Sequence, residues 1–198
     1  MTRSIVYSAA LVAFVAATAM TLASIVMPDW VSYSVTASTG HTVSRSIGLH
    51  KSCSSVADPE CRHYPADSEC TGDERYFCSM WRTTGFLMSF ATVAELATIV
   101  GFLIIMSGGK LKREKGWRVL GGLLGVVAAI HFSAMAIVAY LFDNDEQFIV
   151  PGWRLDTSWI LCLVSGSIAV LCALGLAISA FVLPPEDGYE FLDDPLNV

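Results

Sequence analysis

The sequence predicts a helical membrane protein with a small β component: a four-transmembrane-helix bundle capped by a small extracellular antiparallel β-sheet. Three observations carry this reading. Hydrophobic residues make up 54% of the 198 positions and charged residues only 15%, where an ordinary soluble domain carries about 25% charge. The apolar residues gather into four long runs. Four of the six cysteines (53, 61, 70, 78) fall at close spacing in the polar stretch between the first two runs, as expected for disulfides on the oxidising side of a membrane. The net charge of −6 comes with a single short basic cluster, which gives no footing for nucleic-acid binding.

Residues 5–27 hold no charged side chain, and a helix of that length rises roughly 35 Å at about 1.5 Å per residue, enough for a hydrocarbon core of about 30 Å. A cleavable signal peptide is the competing reading, because Arg3 precedes the run and Ala17-Thr18-Ala19 resembles a cleavage site that would remove residues 1–19. An h-region is limited to about 15 residues, whereas this run continues to Pro28 and Trp30, where an indole suits the headgroup boundary. The first span is therefore read as retained.

The first outer loop covers residues 28–83. Val31, Tyr33 and Val35 alternate with Ser and Thr, as do Val43, Ile47 and Leu49 beyond Ser38-Thr39-Gly40, the pattern of a β-hairpin. Asp58-Pro59 marks a turn between Cys53 and Cys61. Four cysteines allow three connectivities, which sequence does not decide; pairing of neighbours, Cys53 with Cys61 and Cys70 with Cys78, is preferred. A zinc site using these cysteines with His63 lacks the paired ligand spacing of zinc modules.

Spans two and three cover about residues 84–106 and 119–142. Between them, residues 107–118 carry Lys110, Lys112, Arg113, Lys115 and Arg118 against Glu114, a positive-inside signal that makes this loop cytosolic. Both termini then lie in the cytosol, and loops 28–83 and 143–158 lie outside. In the second outer loop, Phe148-Ile149-Val150 reads as a short strand able to join the first loop's sheet, before the turn dipeptide Pro151-Gly152. Span four covers about residues 159–183, with Cys162 and Cys172 as small apolar fillers. The acidic tail, residues 184–198, is expected to be disordered. Residues 1–198 thus form one tetraspan domain.

Two patterns lie inside the spans. Gly121, Gly125, Ala129 and Ser133 recur at spacing four in span three, as do Ser165, Ala169, Ala173 and Ala177 in span four. Such rows let helix backbones approach closely, and packing within the bundle is the preferred use, with homo-oligomer contacts second. Glu95 and His131 sit at matched depth on antiparallel neighbours. A lone acid at mid-span costs about 2.5–3.5 kcal/mol, so Glu95 is expected to be protonated or paired, and a Glu95–His131 hydrogen bond is the economical solution. Proton translocation through this pair is the sharper, less favoured alternative.

Trp30, Gly48-Leu49-His50, Cys53, Cys61 and Arg82 at the mouth of span two resemble the signature of the claudin-like tetraspan superfamily, which includes claudins, peripheral myelin proteins, lipoma-fusion-partner-like proteins and fungal PalI-like proteins. The resemblance implies a helix bundle capped by an antiparallel sheet, Cys53 and Cys61 bridging two strands, and Trp30 and Leu49 holding the sheet against the membrane surface. His50 stands where a second Trp is usual, the Cys53–Cys61 interval is shorter, and Cys70 and Cys78 are an extra pair. The chain is thus similar to a divergent member rather than to a junction-forming claudin.

Tyr189 and Leu192 fit a short tyrosine-x-x-bulky sorting pattern, and the apolar C-terminus suits a PDZ groove, so a cytosolic adaptor is a possible partner of the tail. No Ser/His/Asp set, HExxH or phosphate loop occurs. The expected function is non-enzymatic and cofactor-free: a multi-pass plasma-membrane protein, surrounded by membrane lipid, that organises lateral or cell–cell contacts by binding itself or another membrane protein. The alternatives are an auxiliary subunit of a channel, transporter or sensor, and a proton-linked transporter.

Overall fold

The computed structural model describes residues 2–36, 42–108 and 110–183. Four helices, α1 (Thr2–Val26), α2 (Arg75–Ser107), α3 (Lys110–Asn144) and α4 (Thr157–Val182), account for most of them. Each is long and apolar enough to cross a membrane, the mark of a multi-pass membrane protein. They pack as a ring in which α1 lies against α2 and α4, and α3 against the same two neighbours.

Two helices begin well before the predicted spans. α2 starts at Arg75 rather than Thr84, and α3 at Lys110 rather than Val119. Hydropathy marks the length that lipid tolerates, but the helical ladder needs only backbone partners and continues through Lys and Arg, which are good helix formers. The 33 residues of α2 rise roughly 50 Å at about 1.5 Å per residue, well beyond a hydrocarbon core of about 30 Å. Its first turns bury Phe77 and Trp81 in the core under the sheet, together with Val138 and Leu141 of α3.

The sheet has five antiparallel strands: β1 (Val31–Thr36), β2 (Thr42–Ile47), β3 (Lys51–Ser54), β4 (Cys61–His63) and β5 (Trp153–Leu155), in the order β4-β3-β2-β1-β5. β1 and β2 form the predicted hairpin, with Val31 opposite Ile47 and Tyr33 opposite Arg45; the turn Ser38-Thr39-Gly40 lies outside the described residues. The second outer loop does contribute a strand, but not Phe148-Ile149-Val150. Those residues follow Asp145 into a 3-10 turn, Glu146–Phe148, whose first free amide donates to the Asp145 carboxylate. The strand is Trp153–Leu155, after Gly152, whose φ of +120° only glycine adopts without strain.

Strand alternation gives the sheet two unlike faces. Val31, Tyr33, Arg45, Ile47, Trp153 and Leu155 point toward the helix ends, while Ser32, Ser34, Ser44 and Ser46 pair across β1 and β2 on the far face. The core divides into two apolar clusters. One lies under the sheet and includes Trp30, Ile47, Leu49, Trp81, Met88 and Val138; the other fills the opposite half of the bundle with Tyr7, Phe14, Phe102, Leu120, Leu124 and Leu176.

Candidate functional site

The motif residues converge where the sheet meets the helices. Trp30 is fully buried, and its indole donates to the Ser24 carbonyl at 2.7 Å, binding the start of β1 to the last turns of α1. Gly48 sits so close to the chain entering the sheet that an added Cβ would stand 2.5 Å from Pro28 Cα and 2.9 Å from the Met27 carbonyl oxygen. Leu49 is buried beside it. The Gly48 carbonyl accepts a hydrogen bond from the Trp81 indole at 3.1 Å. Trp81, only a loop boundary in the sequence, is thus the residue through which α2 holds the motif. His50, the next residue, is exposed.

Cys53 is bonded to Cys61, its direct partner across β3 and β4, and Cys70 to Cys78, which ties the loop to the first turn of α2. With these sulfurs engaged, His63 has no thiolate beside it for zinc. Arg82 meets Asp67 at 2.5 Å, but the pair stands in solvent and contributes little to stability. Cys162 and Cys172 are free and buried, as fillers would be.

Beneath the sheet runs an aromatic series that nothing in the spacing of its members connects. Trp81 stacks on Phe77 (5.4 Å), Phe77 meets Phe148 (6.1 Å), and Phe148 meets Trp153 (5.3 Å), which meets Tyr33 (5.2 Å). Tyr64 packs edge-on against Trp81 at 5.9 Å. Burial pushes the Tyr64 phenol up, with the Arg45 charge opposing, so it remains a proton donor at neutral pH. Asp156 caps α4 by accepting from the Thr157 amide at 2.7 Å and also accepts from the Ser32 hydroxyl. Its partial burial raises the pKa, but these hydrogen bonds and Arg154 outweigh it and hold the carboxyl below its usual range.

In mid-bundle, Glu95 and His131 are both fully buried and lie 3.4 Å apart. The shorter contacts run through Thr21 of α1: its hydroxyl is 2.8 Å from Glu95 Oε1, 3.0 Å from His131 Nε2 and 2.7 Å from Ser165 Oγ of α4. The expected pair is therefore a cluster of four, one residue from each helix, with Thr21 at its centre. His131 Nδ1 lies 2.9 Å from the Val127 carbonyl, which only accepts, so Nδ1 carries a proton. Ser165 donates to the Ala17 carbonyl at 3.0 Å. Thr21 is also within reach of the Ala17 carbonyl at 3.2 Å, so its hydroxyl, with one hydrogen to donate, is shared among four neighbours. Glu95 Oε2 is the one buried side-chain polar atom left without a partner among the described residues.

Sequence reasoning missed Thr21 altogether and met Ser165 only as a small residue. Thr18 and Ser24 sit in the same span and merely donate to nearby backbone carbonyls, so nothing in the sequence singles Thr21 out.

The two small-residue rows differ. On α4, Ser165 and Ala169 are buried, and the neighbouring Gly166 would bring a Cβ within 3.1 Å of His131 Cβ, so the first half of the row packs inside the bundle, while Ala173 and Ala177 are half-exposed. On α3, Gly125, Ala129 and Ser133 face outward and Gly121 is half-exposed, with nothing within 4 Å of a Cβ added at Gly121 or Gly125. The expected internal seam is instead formed by Leu120, Leu124, Val127, His131 and Val138. Spacing four identifies a row but not the side it faces, and here the larger apolar residues take the core. The sorting pattern at Tyr189 and Leu192 lies outside the described residues. No family model matches the chain, and comparison with curated proteins finds no match.

Proposed function

We propose that this chain is a claudin-like, non-enzymatic multi-pass plasma-membrane protein that organises lateral or cell–cell contacts through its disulfide-braced outer sheet. The observation that carries the reading is the construction of that sheet. Strands from two separate loops join into one five-stranded platform, with two disulfides in its loop and Trp30, Leu49 and Trp81 buried beneath it. A braced sheet seated on helix ends holds its far face in a fixed orientation, as a contact surface requires. That face presents serine hydroxyls. Trp30, Gly48 and Leu49 of the claudin-like signature help to seat the sheet, which supports the resemblance. The basic loop at residues 107–118 supports cytosolic termini and an external sheet.

An auxiliary-subunit role is the second reading, favoured by the outward row on α3, which suits close approach by a foreign transmembrane helix. Cross-linking in native membranes, followed by mass spectrometry, separates the two. Ladders of this chain alone support the organiser, one larger unlike partner supports the auxiliary subunit, and a monomer with no cross-linked product rejects both. Tags at residue 2 and after Val198 should stain only permeabilised cells.

A further inference from the structure

Under the sheet, beside the start of α2, lies an open cleft of about 500 Å³, within the size range of small-molecule sites, about 300–1,000 Å³. Its walls come from β2, β5, the loop at Tyr64 and the α2 turn held by the Cys70–Cys78 bond, so it exists before any ligand arrives. The polar groups facing it are not all satisfied. Arg45 is half-buried on the inner face of β2 and has no hydrogen-bond or ion-pair partner among the described residues. The Tyr64 ring is packed on Trp81, while its hydroxyl is open to the cleft and has no hydrogen-bond partner among the described residues. Glu69 is neutralised by Arg62 at 2.7 Å. Glu74 has the uncharged amide of Gln147 at 2.5 Å and no ion-pair partner. Phe77 and Trp153 supply apolar wall between these groups.

This lining selects by charge. An anion alone would meet Arg45 and the Tyr64 hydroxyl but be opposed by Glu74; a cation alone would meet Glu74 and be opposed by Arg45. A neutral apolar molecule would strip water from a guanidinium and a phenol without replacing the lost hydrogen bonds. A molecule with both charges and an aromatic body satisfies every group. We propose that the cleft binds a free zwitterionic amino acid with an aromatic side chain, its carboxylate held by Arg45 and Tyr64, its ammonium by Glu74, and its ring by Phe77 and Trp153. This goes beyond the contact role and depends on that reading only for the side of the membrane on which ligand arrives. A measurement on solubilised protein is indifferent to sidedness.

The test is a thermal-shift and calorimetric titration of the full chain in detergent with L-phenylalanine, phenylacetate, phenethylamine and N-acetyl-L-phenylalanine amide, each up to about 10 mM. L-Phenylalanine should give a saturable upward shift, with the single-charge and uncharged analogues at least about tenfold weaker. R45Q should weaken L-phenylalanine and phenylacetate by about tenfold or more and spare phenethylamine, while E74Q should do the reverse. Y64F, which removes a hydroxyl without an internal partner, should keep the fold and weaken L-phenylalanine several-fold; together with the analogue series it decides the matter if R45Q fails to fold. Absence of a saturable shift with L-phenylalanine, or equal binding of the four compounds, overturns the proposal. So does binding of the N-acetyl amide as tight as that of the free amino acid, which would assign the cleft to a peptide chain.

Discussion

Replacing Thr21 with Val tests whether the mid-bundle cluster is centred on Thr21 or is a Glu95–His131 pair with bystanders. Valine keeps the shape of threonine and removes one hydroxyl, so packing is left nearly intact. That hydroxyl makes contacts of 2.8, 3.0 and 2.7 Å to Glu95, His131 and Ser165. Side-chain hydrogen bonds inside membranes average about 0.6 kcal/mol each, so losing the two or three that one hydroxyl can make at once comes to about 1–2 kcal/mol. Strict burial raises this figure, since no water replaces the lost partner of Glu95 and the 3.4 Å contact to His131 is longer than a good hydrogen bond. The assay is reversible unfolding in mixed micelles, read by tryptophan fluorescence. A direct pair predicts that T21V lies within about 0.5 kcal/mol of wild type, the usual scatter between independent sites, and that outcome refutes the central role of Thr21. A double-mutant cycle of T21V with E95Q gives a second check, because strict additivity would mean that the two groups do not share a network.

The other sites give sharper contrasts. Gly48→Ala forces backbone apart at Pro28 and Met27 and should destabilise by about 1–3 kcal/mol, whereas Gly121→Ala, with open space around it, should be neutral or stabilising by up to about 1 kcal/mol; chemical unfolding of both variants reads the difference, and a costly G121A in a monomeric preparation would contradict the outward orientation. Cys70→Ser with Cys78→Ser should lower stability by about 2–4 kcal/mol, and non-reducing peptide mapping of wild type should recover both bonded pairs. Asp156→Ala should cost about 0.5–2 kcal/mol at neutral pH through loss of the α4 cap. Because the Asp156 pKa is held low in the folded chain, its contribution is complete above the ordinary value of about 3.9 and is lost as pH falls through the folded value. The gap between wild type and D156A should therefore close in acid unfolding, and a gap that persists there would mean that the carboxylate is not the cap.

What the sequence made legible is what depends on period and length. Four runs of sufficient apolar length become four helices, and alternation about Tyr33 and Val43 becomes a hairpin, because each needs only local information. Glu95 and His131 were visible because an ionisable residue in an apolar run is rare and must find a partner. The identity of the bridging residue is not visible: a threonine in a membrane helix reaches the preceding turn, as Thr18 does on Phe14 and Thr21 on Ala17, and only tertiary geometry brings Glu95, His131 and Ser165 to Thr21 as well. The strand in the second loop was misplaced by a few residues for a similar reason. Phe148 has the β propensity of an aromatic, but its burial against Phe142 and Phe77 is better served by a turn that aims the ring beneath the sheet. The outward face of Gly121 and Gly125 follows from competition among rows of one helix, which a spacing rule cannot resolve.

The polar cluster also explains how the platform is held at one height. Along every helix the cluster residue falls between the two apolar clusters: Thr21 between Phe14 and Trp30, Glu95 between Met88 and Phe102, His131 between Ala128 and Ala134, and Ser165 between Cys162 and Ala169. Apolar side chains fix helix register weakly in lipid, because sliding by a turn exchanges one apolar contact for another and the surrounding chains are equally apolar. A hydrogen-bonded layer with one member per helix has no such degenerate alternative, since a slip of one turn, about 5.4 Å, breaks every contact at once. The layer sets the axial position of all four helices, and with it the height of Trp30 on α1 and Trp81 on α2. Those two indoles, bonded to the Ser24 and Gly48 carbonyls, pass that register to the sheet. Loosening the layer should therefore be felt at the sheet. T21V should speed hydrogen exchange of the β1 and β2 amides as well as that of the helix midpoints, whereas Gly121→Ala, on the outward face, should change neither.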